Sequence, residues 1–236
     1  MAYITLDLQR ADVSYKATFA APQFTILMNA GRAFQALHSR LTTYGLKLAD
    51  IKVEGVAAQP SNFAIACTFP ALNAVLRLKL ESIELNAYSV AKSAALPPIL
   101  SEAIEAAKEI GAAGGGYKPI LYQQIVLESH GTLADVDART FLASYVARNP
   151  WSTEADQHVS FAFNLGQNPT QGRLGASIVA SPSSVLSKGL YVQINATFAG
   201  HFTLNDTVDR FLAFAREAYA NLGLQPKDAL PESHKQ

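Results

Sequence analysis

Residues 189–222 read GLYVQINATFAGHFTLNDTVDRFLAFAREAYANL. Leu190, Val192, Ile194, Ala196, Phe198 and Phe202 fall on one side of a two-residue period. Tyr191, Gln193, Asn195, Thr197 and His201 fall on the other. That alternation predicts a strand with one buried face. Thr203 stands three residues before Asp206, the spacing of a capped helix entry. Val208, Phe211, Leu212, Ala215 and Leu222 then follow at helical spacing, and Gly223 supplies the stop. An earlier stretch, Val75 to Gly111, repeats the order of strand then helix. That repetition sets the expected fold class.

Working outward, the first half opens with strand at Ile4 to Phe19, read as one strand or as two short ones broken near Arg10 to Asp12. A helix is expected from Phe24 to Tyr44 on the stripe Phe24, Leu27, Phe34, Leu37, Leu41 and Tyr44, with Gly31 placed for close packing on a sheet. Strands follow at Asp50 to Val56, Asn62 to Phe69 and Val75 to Tyr88. The last shifts phase at Glu81-Ser82, which calls for a bulge or tight turn. Pro97-Pro98 opens a helix carrying Leu100, Ala103, Ile104, Ala107 and Ile110.

The run Gly111 to Gly116 is the clearest break. No Lys-Ser or Lys-Thr pair follows it, so a linker fits better than a phosphate cradle. The second half restarts with a strand from Pro119 to His130. A helix capped from Thr132 and Asp135 carries Val136, Phe141, Leu142 and Tyr145, and Asn149-Pro150 ends it. Strands at His158 to Leu165 and Leu174 to Ala180 flank a polar hairpin loop.

These elements predict an α+β fold of two pseudo-repeats, each strand, helix, three strands, helix. The sheet is mainly antiparallel and curved, with the helices packed on one face. The expected organisation is residues 1–112 as the first repeat, 113–118 as a Gly-rich linker, 119–225 as the second repeat and 226–236 as a disordered tail. An offset of 107 lays Tyr15 on Tyr122, Phe19 on Val126, Arg32 on Arg139 and Phe34 on Phe141. An offset of 114 lays Leu76, Leu78 and Leu80 on Leu190, Val192 and Ile194. This element order is similar to the duplicated TATA-binding-protein-like and helix-grip arrangements, without any family motif. The resemblance implies a saddle, whose use on DNA needs a basic concave face and apolar wedges.

Composition narrows the function classes. The 236 residues are 49% apolar and 16% charged, with 19 basic and 19 acidic side chains. Up to Gly115 there are 10 basic and 9 acidic residues, and after it 9 and 10. Neither half has the basic excess that drives phosphate-backbone binding, so nucleic acid is an unexpected partner. Cys67 is the only cysteine. It excludes intramolecular disulfides and multi-thiolate metal sites, and alternates with Phe63, Ile65 and Phe69 as a buried structural thiol. No signal-peptide pattern or membrane span is present, so a cytoplasmic location without a membrane partner is expected. No nucleotide fingerprint, nucleophile elbow or zinc helix is present, and no cofactor is expected.

What remains is a polar strand face in the second half. Glu128 and His130, His158, Arg173, and Tyr191, Asn195 and His201 come from four strands whose polar sides converge if the strands are neighbours. Those seven are the candidate ligand-binding residues, and Trp151 in its loop is the candidate interaction anchor. The expected function is non-catalytic binding or assembly through this face or loop, with an unidentified protein or small molecule as partner and homo-oligomers possible. The alternative is a small-molecule enzyme using Glu128, His130 and His201, in which a carboxylate orients a histidine base. Two histidines with Glu128 would also suit a metal.

Overall fold

Two long antiparallel strands form the middle of the molecule, β1 (Ile4–Phe19) and β6 (Ile120–Leu133), in register from Leu6 opposite Leu133 to Phe19 opposite Ile120. The computed structural model describes residues 3–55, 59–89, 96–113, 116–146 and 160–227. On the β1 side the sheet continues through β5 (Ser82–Ala87), β4 (Ala74–Lys79), β3 (Ala64–Phe69) and β2 (Ile51–Glu54). On the β6 side it continues through β9 (Leu190–Ala199), β8 (Arg173–Pro182) and β7 (Phe161–Leu165). All of these pairings are antiparallel, and β10 (Leu224–Pro226) adds a parallel partner to the start of β1. The result is an α+β protein built on one curved sheet of ten strands.

The strands alternate as a half-covered sheet must. Leu76, Leu78, Ile83, Leu85, Ile125, Leu127, Val192 and Ile194 are buried. They join one continuous core with Leu37 of α2 (Ala30–Leu41), Ile99 and Ile110 of α3 (Leu96–Ala112), and Phe211 and Ala215 of α5 (Leu204–Asn221). Each such aliphatic or aromatic side chain contributes roughly 1.5–3 kcal/mol through burial. No helix among the described residues is long and apolar enough to cross a membrane.

The break expected near Arg10 to Asp12 is a β-bulge inside one continuous strand, between Leu8 and Arg10. The extra residue, Gln9, reverses the phase. Leu6 and Leu8 before it and Ala11, Val13 and Tyr15 after it therefore all meet the core. The turn expected at Glu81-Ser82 is real, but it separates two strands. The first half thus has four strands between its helices where three were read.

Other expectations fail for local reasons. The single helix over 24–44 is split at Asn29 into α1 (Phe24–Met28) and α2, followed by a 3-10 turn over Thr42–Tyr44. A Cβ on Gly31 would meet nothing within 4 Å, so this glycine serves no close packing. Gly111 does: it lies inside α3, buried, where a Cβ would come within 2.8 Å of the Tyr117 backbone. α3 therefore runs past the first glycine of the run. α4 (Ala138–Val146) is capped by Asp137, whose Oδ1 accepts from the Thr140 N–H at 2.9 Å, because Thr132 is still paired within β6. Chain after Gly223 forms β10, and the Lys227 N–H bonds the Leu6 carbonyl, so the expected tail is ordered through Lys227.

The residue matches behind the repeat do not survive. Tyr15 is on the buried face, but Tyr122, laid on it by the offset of 107, is on the open one. The offset of 114 lays β4 on β9, although β5 and β9 are the strands that pair with β1 and β6.

Candidate functional site

The open face of the sheet carries the polar residues, and strand register decides which of them meet. Crossing from β1 through β6 and β9 to β8, one row reads Arg10, His130, Tyr191, Ser181. The next reads Asp12, Glu128, Gln193, Val179. Arg10 holds Asp12 with Nε at 3.0 Å and Nη2 at 2.6 Å from Oδ2, and the Ser89 N–H donates to Asp12 Oδ1 at 2.7 Å. Gln193 Nε2 donates to Glu128 Oε1 at 2.8 Å.

His130 is 8% exposed, the least accessible titratable side chain of these two rows. Its ring lies against Tyr191, with centroids 4.9 Å apart, and its Nδ1 is 2.9 Å from Ser183 Oγ. That hydroxyl already accepts from the Val185 and Leu186 N–H groups at 3.1 and 2.9 Å. Its own proton is then free to be donated to Nδ1, which makes the imidazole the neutral tautomer carrying its proton on Nε2. Burial, then the charge of Arg10, push the histidine below its ordinary value of 6.5, against the pull of Asp12 and Glu128. Burial raises Asp12, but the Arg10 guanidinium and the Ser89 N–H outweigh it and hold the carboxyl low. Burial, with the charge of Glu128 behind it, pushes the Tyr191 phenol up to about 12. These directions favour an ionised Asp12 beside the Arg10 guanidinium, with the imidazole and the phenol neutral at neutral pH.

Of the sequence-predicted residues, Glu128, His130 and Tyr191 come together here. Asn195 shares the face but stands about 13 Å along β9 from Tyr191, where it accepts from Gln124 Nε2 at 3.0 Å. Arg173 is on the opposite face. A bulge between Arg173 and Gly175 reverses the strand phase, and the guanidinium lies over the Phe214 ring of α5 at 4.5 Å. His201 lies in the turn beyond β9, at the far end of a strand that spans roughly 25 Å from Tyr191, with its ring against Phe202. Glu128, His130 and His201 therefore share no pocket, and the catalytic trio does not assemble. His158 and Trp151 lie outside the described residues. Among the described residues no three His, Cys, Asp or Glu side chains are grouped to hold a metal.

Arg10, Asp12 and Ser183 escaped the sequence reading. The bulge at Gln9 hides the face of Arg10 and Asp12, and pairing of β1 with β6 has no local signal. Lys16, Arg77 and Lys79 share the open face. Glu84 answers both lysines, at 3.4 Å from Lys16 and 2.6 Å from Lys79, and Glu54 answers Arg77 at 2.8 Å. Among the described residues these three cations of the open face are each answered by a carboxylate. Burial pushes the Cys67 thiol up to about 12, consistent with an inert, packed cysteine. No protein-family model matches the chain, and no curated protein is significantly similar to it.

Proposed function

We propose that the protein is a non-catalytic binding or assembly protein whose open sheet face receives a protein partner, with His130 and Tyr191 as the anchor. The observation that carries this reading is the lateral pairing of the face. Arg10 with Asp12, Glu128 with Gln193, Lys16 and Lys79 with Glu84, and Ser14 with Asn86 each join neighbouring positions of the sheet. Side chains already held in place lose little freedom on association, so such a face is preorganised for a broad contact. Tyrosine beside a desolvated imidazole is the kind of group that dominates binding energy. Small-molecule sites are concave and enclose their ligand. Two described grooves, of about 340 and 110 Å³, lie away from His130 and Tyr191, by Tyr3 and Tyr219 and by Pro22 and Lys79.

The same reading takes the two halves as copies of one unit. Its support is the order of strands outward from the centre, β1-β5-β4-β3 on one side and β6-β9-β8-β7 on the other, with β2 as an addition. A cytoplasmic setting belongs to it as well, on the strength of a single buried thiol.

The test is photocrosslinking in cells that make the protein, with the probe at Gln193 or Ser177 on the open face and at Glu217 on α5 as control. Crosslinks from the face that Tyr191→Ala weakens, with none from Glu217, support the reading. Crosslinks confined to Glu217, or none from the face, overturn it.

A further inference from the structure

The geometry points to an oxyanion-binding site between Arg173 and Arg210, on the helix side of the sheet and separate from the open face. Arg173 opens β8 and, reversed by the bulge after it, places its guanidinium over Phe214 at 4.5 Å. Arg210 and Phe214 sit one turn apart on α5, and the Arg210 guanidinium lies 4.2 Å from the centroid of the Phe202 ring. Its Nη1 donates to the Gln171 carbonyl at 2.7 Å. Phe202 in turn packs so tightly on Gly172 that a Cβ there would come within 2.1 Å of its ring. The turn carrying Gln171, Gly172 and Arg173 is thus clamped against Phe202 and α5, with Arg210 bonded to the turn and Arg173 stacked on Phe214 one helical turn beyond Arg210.

Both guanidiniums lie on aromatic rings rather than against carboxylates. Arg10, Arg40 and Arg77 each hold a carboxylate. Neither Arg173 nor Arg210 reaches one among the described residues. Arg173 Nε is buried with no hydrogen-bond partner at all. A guanidinium stacked on an aromatic ring keeps its N–H edge free while giving up part of its hydration. The unpartnered Arg173 Nε and the Arg210 N–H groups not spent on Gln171 suit a planar or tetrahedral oxyanion that accepts more than one hydrogen bond. The first turn of α5, which follows Phe202 directly, adds the positive end of its dipole. The ligand class is a small molecule bearing a phosphate or a carboxylate. His201, stacked on the same Phe202 ring with centroids 4.2 Å apart, borders the site.

The test measures thermal melting and isothermal titration of the whole chain against sodium phosphate and citrate, with sodium chloride at matched ionic strength. The expected result is a saturable rise in melting temperature with phosphate, citrate or both, and none with chloride. A response to phosphate alone assigns a phosphorylated ligand, and one to citrate alone a carboxylate. Arg173→Met and Arg210→Met should each weaken the response by about tenfold to a hundredfold. Arg173→Met should also melt no lower than wild type without anion, because it removes a buried unpaired donor. If either methionine variant fails to fold, Arg173→Lys gives the same reading, since it keeps the charge and loses the fork. An absent or unsaturable response in the wild type overturns the site, as does an equal response in the variants.

Discussion

His130 is a buried side chain that stays neutral because its surroundings leave no place for a second proton. Burial and Arg10 oppose the charge, and Ser183 already spends its lone pairs on two backbone N–H groups. The facing charged groups are Arg10, Asp12 and Glu128, and the net push is downward. The unfolded chain binds a proton near the ordinary value of 6.5, and the folded chain only at lower pH. Between the two values unfolding takes up a proton, so the stabilisation is whole above the unfolded value and is lost as pH falls through that window. Urea unfolding from pH 8 to pH 5 should therefore show a steeper acid loss for wild type than for His130→Gln. Parallel curves would contradict the assignment. Tyr15 offers a second test. Its buried hydroxyl donates to Gln123 Oε1 at 2.6 Å, and Gln123 Nε2 donates to the Phe202 carbonyl at 2.9 Å. Tyr15→Phe leaves the Gln123 oxygen unpaired and should cost about 1–2 kcal/mol in denaturant unfolding.

At the scale of elements, two helix glycines that look alike in sequence should respond with opposite sign. Gly31 in α2 faces open space, so Gly31→Ala gains helix propensity and should stabilise by about 0.5 kcal/mol. Gly111 in α3 lies against the Tyr117 backbone, which cannot yield as a side-chain tip can. Gly111→Ala should destabilise by about 1–3 kcal/mol despite the same gain in propensity. Denaturant midpoints of the two variants check both signs at once. Propensity is local and readable from the chain, whereas the partner across a helix face is not. The same division explains the strands. The alternation of Leu190 to Phe198 was legible because nothing interrupts it. That of β1 was not, because Gln9 adds one residue and turns every later side chain over. Arg173 was misplaced for the same reason.

The whole molecule depends on the seam between β1 and β6, where long strands from opposite halves pair over nearly their full length. An open edge there would expose a row of unpaired backbone groups and a strip of core. Cleavage at a protease site inserted between Ala113 and Gly116 should therefore leave the two fragments associated. They should elute together in gel filtration and melt in a single transition. Separation of the fragments after cutting would show that each half carries its own stability.

By itself the sequence determined the α+β class, the mainly antiparallel sheet, the buried Cys67, the capped entry of α5 and the balanced charge. All of these rest on near-neighbour spacing or on composition. Only the tertiary structure decided that Arg10 and Asp12 complete the cluster of Glu128, His130 and Tyr191. Only the structure sent Arg173 and His201 away from it, toward Phe214 and Phe202. The physical reason is common to both. A residue's face within a strand follows from counting by twos, but a bulge resets the count. Which strands lie side by side is fixed by pairing across more than a hundred residues of chain, and no local pattern records it.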